Sequence, residues 1–295
     1  MDAAQVAALL VNSLMPVFLW SMNLGQGMSF TVQQIAAPFK QPLSILPALV
    51  LNSILIPLLY WGLSLILPMS SEHAIGLMLV GSASAAPFAI KAAVVEKGDV
   101  PLMIGLVVLL GALNILFIPL WSVLLMPPGT AVDALNIAQT LVLLILAPLV
   151  TGLLIRARWP EHAMRWAPPA NRLSTLLLLL VVGLTVVASW RGIQALVGAW
   201  VIAGGVIGVL LSMIVGYSLG GRRLATRRTV ATVSGMRAIG PALAIVASAF
   251  DGNTDIRAAV VMLGTLSFLP FAAAIVWGRR GKALDVPAQR RTVQT

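Results

Sequence analysis

Nine apolar stretches, each about 20 residues long, dominate this chain of 295 residues. A helix of about 20 residues is long enough to cross the hydrocarbon core of a bilayer. The stretches together hold about 200 residues, so the loops between them are too short for a soluble domain. We therefore predict an all-α polytopic membrane protein with about nine transmembrane helices. The predicted spans are 4–25, 43–67, 75–95, 100–123, 135–155, 173–190, 195–219, 229–249 and 257–278.

The composition excludes several classes of protein. Charged residues make up only 9% of the chain, whereas a soluble domain carries about 25%. The chain has no cysteine, which excludes disulfides, thiolate metal sites and a cysteine nucleophile. These features exclude a soluble enzyme, a disordered chain and an extracellular disulfide scaffold.

The net charge of +10 reflects membrane topology rather than nucleic-acid binding. With the N-terminus outside, 15 of the 19 basic residues fall in the inner loops and the tail, as the positive-inside rule requires. Only Arg191 and Arg257 fall in outer loops. The arginines flank membrane spans and lack interleaved aromatic residues, so we predict no nucleic-acid partner. Residues 279–295 are predicted to form a basic cytoplasmic tail that faces the lipid surface.

Two cations, Lys91 and Arg237, lie inside predicted spans, whereas all nine acids lie in loops or at span ends. A cation at the bilayer centre costs about 2.5–3.5 kcal/mol on insertion scales. One explanation is that each side chain extends to the inner membrane face. The alternative, which we favour, is that one or both face a polar cavity.

The residues around both cations predict broken helices. Pro87 lies between Ser84 and Lys91, and Gly235, Gly240 and Pro241 surround Arg237. Proline removes a backbone donor and clashes with the preceding turn, and irregular backbone at this depth is tolerated where it lines a cavity. The serines Ser82, Ser84 and Ser234 are then expected to cap the broken helices or line the cavity.

The positions of the two broken spans predict an inverted repeat. Each is the middle member of a set of three, 43–123 and 195–278, and the two sets have opposite orientations in the membrane. Paired broken helices near the midplane are the pattern of secondary transporters, which bind ions or substrates at that point.

Three motifs resemble the bile acid:sodium symporter family and its wider superfamily of organic-anion and arsenite carriers. They are Met22-Asn-Leu-Gly-Gln-Gly-Met28, Glu96-Lys-Gly-Asp-Val100 and Ser234-Gly-Met-Arg-Ala238. The resemblance implies two crossing broken helices in a core domain and a separate panel domain. The panel domain would be 1–42 and 124–194, the core domain 43–123 and 195–278, and the localisation a bacterial inner membrane. The distribution of basic residues predicts that the N-terminus lies outside and the C-terminus in the cytoplasm.

The chain departs from the family where sodium ligands are expected. The resemblance implies serine, asparagine, threonine, glutamate and glutamine at or near the broken helices. The matching positions here are Ala89, Ile90, Met103, Val107, Val233, Arg237 and Ala238, and Asn52 corresponds to a further glutamine. Valine, isoleucine and methionine offer sodium no oxygen ligand. We hypothesise that Lys91 and Arg237 replace the two sodium ions.

The predicted function is transport of a small organic anion by alternating access, independent of sodium and without cofactor or metal. The predicted substrate-binding residues are Lys91, Arg237, Ser84, Ser234 and Asn52, and the helix-break residues are Pro87, Gly235, Gly240 and Pro241. Proton coupling would require a buried Lys91 with a lowered pKa. Uncoupled diffusion or anion exchange is the rival, and Glu96 is an alternative structural partner of Lys91.

Two alternative functions remain open, and a third is not expected. The chain could be a sodium-coupled symporter with a rearranged ion site, or a non-transporting sensor or scaffold on the same fold. An enzyme is not expected, because no histidine, carboxylate or cysteine lies within a span to act as base or ligand.

Overall fold

The computed structural model describes residues 3–36, 42–84, 86–126, 133–196, 200–250 and 253–284. Nearly all of them are helical. Short π-helical segments, Leu51–Leu55 and Val142–Leu146, join two pairs of helices. The helices are α1 (Ala3–Ser29), α2 (Val32–Ala36), α3 (Pro42–Val50), α4 (Ile56–Ile66), α5 (Ser71–Ser82), α6 (Ala89–Val95), α7 (Val100–Leu125), α8 (Ala134–Leu141), α9 (Ala147–Arg158), α10 (Pro160–Ala188), α11 (Trp190–Ala195), α12 (Trp200–Leu219), α13 (Leu224–Gly235), α14 (Ile239–Ala249), α15 (Thr254–Leu266) and α16 (Leu269–Leu284).

Seven helical segments in the described residues are long and apolar enough to cross a membrane. They indicate a multi-pass membrane protein. The other two predicted spans, 75–95 and 229–249, each consist of two shorter helices, α5 with α6 and α13 with α14. The total of nine crossings and the inverted repeat stay predictions. The seven segments are Gln5–Ser29, Ile45–Ile66, Val100–Leu125, Ala134–Arg158, Pro160–Ala188, Trp200–Leu219 and Thr254–Arg279.

A proline stands four residues after the point where each divided helix is interrupted. Helix α5 is capped at Ala83, and Pro87 follows four residues later. Helix α13 is followed by Met236 and Arg237, and Pro241 lies four residues after Arg237. A proline ring clashes with the carbonyl of the residue four positions earlier. Pro241 itself lies in the first turn of α14, where the missing donor is one of those without a helical partner.

Several basic residues that the sequence prediction assigned to loops lie in helices instead, among them Arg165, Arg172 and Arg257. Helix α10 begins at Pro160, so Arg165 and Arg172 lie on its polar first half. With 29 residues it is about 43 Å long, which exceeds the hydrocarbon core of about 30 Å. The charged half can therefore extend beyond the core. Arg257 lies in the first turn of α15 and is buried, with Nη2 3.4 Å from Asn12 Oδ1.

The structure also differs in part from the predicted tail and from the predicted domain boundary at residue 279. Helix α16 runs to Leu284, so residues 279–284 continue the last helix because no proline or glycine pair stops it there. The remainder of the predicted tail, 285–295, lies outside the described residues.

The closest packing between the described helices joins a few pairs. Helix α1 packs most extensively against α10 and α9, while α5 packs against α4 and α15, and α12 against α13. Between 22% and 50% of the residues in the apolar part of each long segment are buried, so at least half of them are partly or fully accessible, as is expected of helices that face lipid. The division into panel and core domains stays a prediction.

Candidate functional site

The two interruptions meet, and Ser84 and Arg237 pair there as a short antiparallel bridge. This meeting point is called the crossing. The amide of Ala238 donates to the carbonyl of Ala83 at 2.9 Å, and the amide of Ala86 donates to the carbonyl of Met236 at 3.4 Å. Buried backbone groups require partners, and here each interruption supplies them to the other. The pairing therefore fixes the two unwound segments together.

An asparagine that the sequence analysis did not select also holds this crossing. Asn114 Oδ1, on α7, accepts from the Ser84 amide at 3.1 Å and from Ser84 Oγ at 2.7 Å, and Asn114 Nδ2 donates to the Ser84 carbonyl at 2.9 Å. Asn114 is buried. Its signal in the sequence was an amide in an otherwise apolar span, because such polar residues usually face the interior of a membrane protein.

Arg237 is buried at the crossing, with 2% of its surface exposed. Nη2 donates to Asn52 Oδ1 at 2.6 Å and to the Ser234 carbonyl at 2.9 Å, and Nη1 donates to the Gly81 carbonyl at 3.1 Å. Nε has no hydrogen-bond partner among the described residues. The guanidinium is thus held by neutral oxygens, which is also the type of ligand that hard cations require.

Asn52 and Ser234 belong to the same cluster. Asn52 Nδ2 donates to Ser234 Oγ at 3.1 Å and to the Ala48 carbonyl at 2.9 Å, which leaves Asn52 Oδ1 for Arg237. Asn52 lies in the π-helical segment Leu51–Leu55, and such segments are frequent at functional sites. The structure brings Asn52, Ser234, Arg237 and Ser84 together at the crossing.

Lys91 lies in a cavity of about 210 Å³ between α1, α10 and the segment that begins α6. It is the one charged residue among the described residues that line this cavity, and its side chain is exposed. Its Nζ lies 5.2 Å from the centre of the Phe88 ring. The cavity is lined by Phe18, Met22, Gln26, Ser29, Phe30, Pro87, Phe88, Ile90, Lys91, Asn171, Ser174, Thr175 and Leu178.

The predicted site residues therefore divide into two groups. Lys91 and the helix-break residue Pro87 line the cavity, whereas Arg237 is not among its lining residues and has its own partners at the crossing. Gly235 ends α13, while Gly240 and Pro241 begin α14. The proton-coupling hypothesis assumed a buried Lys91. That premise is wrong, because the side chain opens into the cavity.

The structure does not pair Glu96 with Lys91, as one alternative had proposed. Glu96 Oε2 accepts from Thr232 Oγ1 at 2.6 Å, and the Glu96 carbonyl accepts from Arg228 Nη1 at 3.1 Å. Glu96 lies in the turn after α6, beyond the predicted span. Burial raises its pKa to about 7, against the opposing effects of the Thr232 hydroxyl and the Arg228 charge. The chain turns here through Lys97, whose φ is 56°.

Comparison with known proteins supports the transporter interpretation. The family model described as the sodium bile acid symporter family matches residues 16–196, which is more than half of the chain. The matched region includes Lys91 and the first interruption. A search of curated protein sequences gives no significant match. The chain belongs to the sodium bile acid symporter family.

Proposed function

We propose that this protein carries small organic anions across the membrane by alternating access and does not require sodium. The observation that carries the proposal is Lys91, the one charged side chain among the described residues that line the cavity. The ammonium group of Lys91 attracts a carboxylate, and the apolar residues that line the cavity reduce the screening of this attraction by water.

The size and lining of the cavity favour a small carboxylate. A volume of about 210 Å³ is below the roughly 300–1,000 Å³ of sites for drug-sized ligands. Phe18, Phe88 and Leu178 offer apolar contacts for the body of the anion, and Asn171 and Thr175 offer hydrogen bonds. A short keto acid or similar anion fits these features better than a steroid acid.

The environment of Arg237 supports independence from sodium. Its guanidinium takes the oxygens of Asn52, Gly81 and Ser234 that a hard cation would use. A sodium ion at the same place would also meet like-charge repulsion. In this proposal Arg237 acts as a fixed cation that holds the crossing together, whereas Lys91 binds the substrate.

The position of the cavity supports alternating access. It lies between α1 and α10 on one side and the start of α6 on the other. If α1, α9 and α10 form the panel and the crossing helices form the core, movement between them opens Lys91 to each side in turn. We include in this proposal nine crossings, an inverted repeat and a bacterial inner membrane with the C-terminus in the cytoplasm.

Uptake into proteoliposomes that contain the full-length protein tests the proposal. The probes are radiolabelled pyruvate, benzoate and cholate, each measured in sodium and in choline. We expect uptake of at least one of the two smaller anions in both salts. Lys91→Gln should abolish this uptake, Lys91→Arg should retain part of it, and the exposed-charge control Arg222→Gln should match the wild type.

Two results would support the alternative functions. Uptake that strictly requires sodium would indicate a sodium-coupled symporter with a rearranged ion site. Binding of an anion without uptake or exchange would indicate a sensor or scaffold on the same fold.

A further inference from the structure

Glu96 is a buried acid for which the proposed transport site has no role. Among the described residues, the buried charged side chains are Glu96, Arg237 and Arg257, and Glu96 is the one acid. Its exposed fraction is 0%. Burying a carboxylate is costly unless it is paired or becomes protonated, so this position requires an explanation.

One of the two carboxyl oxygens of Glu96 lacks a hydrogen bond. Oε2 accepts from Thr232 Oγ1 at 2.6 Å, whereas Oε1 is buried without a partner among the described residues. Arg228 donates to the Glu96 carbonyl rather than to the carboxyl group. The free oxygen is a site where a proton can bind without breaking an existing contact.

The packing around Glu96 leaves little space for a larger ligand. A Cβ placed on Gly98 would lie 2.8 Å from Glu96 Oε1 and 2.5 Å from Thr229 Oγ1, and a Cβ on Gly278 of α16 would clash with the Val95 carbonyl. A metal ion needs several oxygen ligands, and one free oxygen in such close packing does not supply them. A proton needs only one.

The charged groups near Glu96 are few. Helix α13 contributes Arg228, whose guanidinium lies 5.9 Å from the centre of the Trp277 ring of α16. Helix α16 contributes Arg279, which is exposed. The turn itself contributes Lys97, which is exposed, and Asp99, whose Oδ1 accepts from the Leu102 amide. Burial outweighs these charges and brings the Glu96 pKa to about 7.

Glu96 connects the two divided helices and is joined to the cavity through α6. The residue follows α6, and its hydrogen-bond partners Thr232 and Arg228 lie on α13. Lys91 lies five residues earlier, about 7.5 Å along the axis of α6. The charge of Arg228 favours the ionised form of Glu96, so ionisation strengthens the attraction between the end of α6 and α13.

We propose that Glu96 is a proton-binding switch on the cytoplasmic side of the carrier, and that its protonation state sets how α6, which bears Lys91, is held against α13. The proton is exchanged with water on the cytoplasmic side, where the proposed topology places the turn after α6, so that no bond other than the O–H bond forms or breaks. This inference rests on the proposed transport function.

Infrared difference spectroscopy on the purified full-length protein tests the proton site without any substrate. We expect a protonated-carboxyl band that disappears with rising pH, with a midpoint near 7. The band should be absent in Glu96→Gln and present in the exposed-acid control Glu161→Gln. Thr232→Val should move the midpoint to higher pH, because the hydroxyl favours the ionised form. A wild-type band with no contribution from Glu96 would overturn the proposal.

Exchange of radiolabelled pyruvate or benzoate across proteoliposomes, at equal pH on both sides, tests the switch. The protonated fraction of Glu96 falls roughly tenfold between pH 6 and pH 8. We therefore expect the exchange rate to change over this range in the wild type and in Glu161→Gln, and to stay constant in Glu96→Gln. The wild-type pH dependence retained in Glu96→Gln would refute the switch while leaving transport established. No uptake or exchange of either anion by the wild type would refute the proposed function and, with it, the switch.

Discussion

Replacing Glu96 by glutamine should change the pH dependence of stability in a defined direction. Glutamine has nearly the same shape and keeps an oxygen that can accept from Thr232, but it carries no charge at any pH. The wild-type carboxyl group must ionise in a buried position as the pH rises. The variant therefore removes the free-energy cost of ionising this group. Its other effects on stability should not depend on pH.

The size of the effect follows from the pKa of Glu96. Burial raises this pKa from 4.5 to about 7, and a pKa displacement of one is worth about 1.4 kcal/mol. Between these two pH values the folded state binds more protons than the unfolded state, so the stability of the wild type falls as the pH rises. The loss should total about 3 kcal/mol by about pH 8. The stabilisation present near pH 4.5 is thus lost as the pH passes through 7.

Thermal unfolding in detergent, followed by tryptophan fluorescence, measures this difference. The chain has eight tryptophans and no cysteine, so thiol-reactive dyes are unsuitable. We expect the apparent melting temperature of Glu96→Gln, relative to the wild type, to rise steadily from about pH 5 to about pH 8. Glu161→Gln is the matched control, since Glu161 is exposed. A difference between Glu96→Gln and the wild type that stays constant over this range would refute the reasoning.

Three further predictions concern the crossing and the topology. Arg237→Ala should have a higher thermal stability in sodium than in choline, because the oxygens of Asn52, Gly81 and Ser234 lose the guanidinium and can bind sodium instead. An equal difference between the two salts in the wild type would contradict this. Asn114→Leu should cost roughly 2–5 kcal/mol of stability, since the Ser84 amide and hydroxyl lose their acceptor; unfolding measurements that show no loss would refute it. A single cysteine in this cysteine-free chain should react with an impermeant maleimide from the cytoplasmic side when placed in 285–295, and labelling from the outer side would reverse the proposed topology.

The sequence was sufficient to predict the membrane class and the location of both interruptions. Long apolar stretches can be read directly, because the bilayer requires about 20 such residues for each crossing. The interruptions follow from local chemistry, since Pro87 and Pro241 each disturb the backbone four residues earlier. The motif that follows the first interruption was also enough to indicate the family that the comparison confirmed.

The partners of the two intramembrane cations depended on tertiary structure. Arg237 and Asn52 are 185 positions apart in the chain, and no local pattern states that one will bind the other. Lys91 and Arg237 look alike as isolated cations in apolar spans. The fold turns one toward a cavity and buries the other among carbonyl oxygens, because a side chain's environment is set by the helices that pack around it.

Glu96 shows most clearly what the sequence determines and what only the tertiary structure decides. The sequence places an acid in a short loop, where acids are normally solvated. Only the packing of α13 and α16 against the end of α6 removes it from water and raises its pKa to about 7. Helix formation and membrane insertion depend on residues that are close in the chain, so they can be predicted from the sequence. Burial of a single carboxyl group depends on distant segments meeting at one point, and the tertiary structure alone decides it.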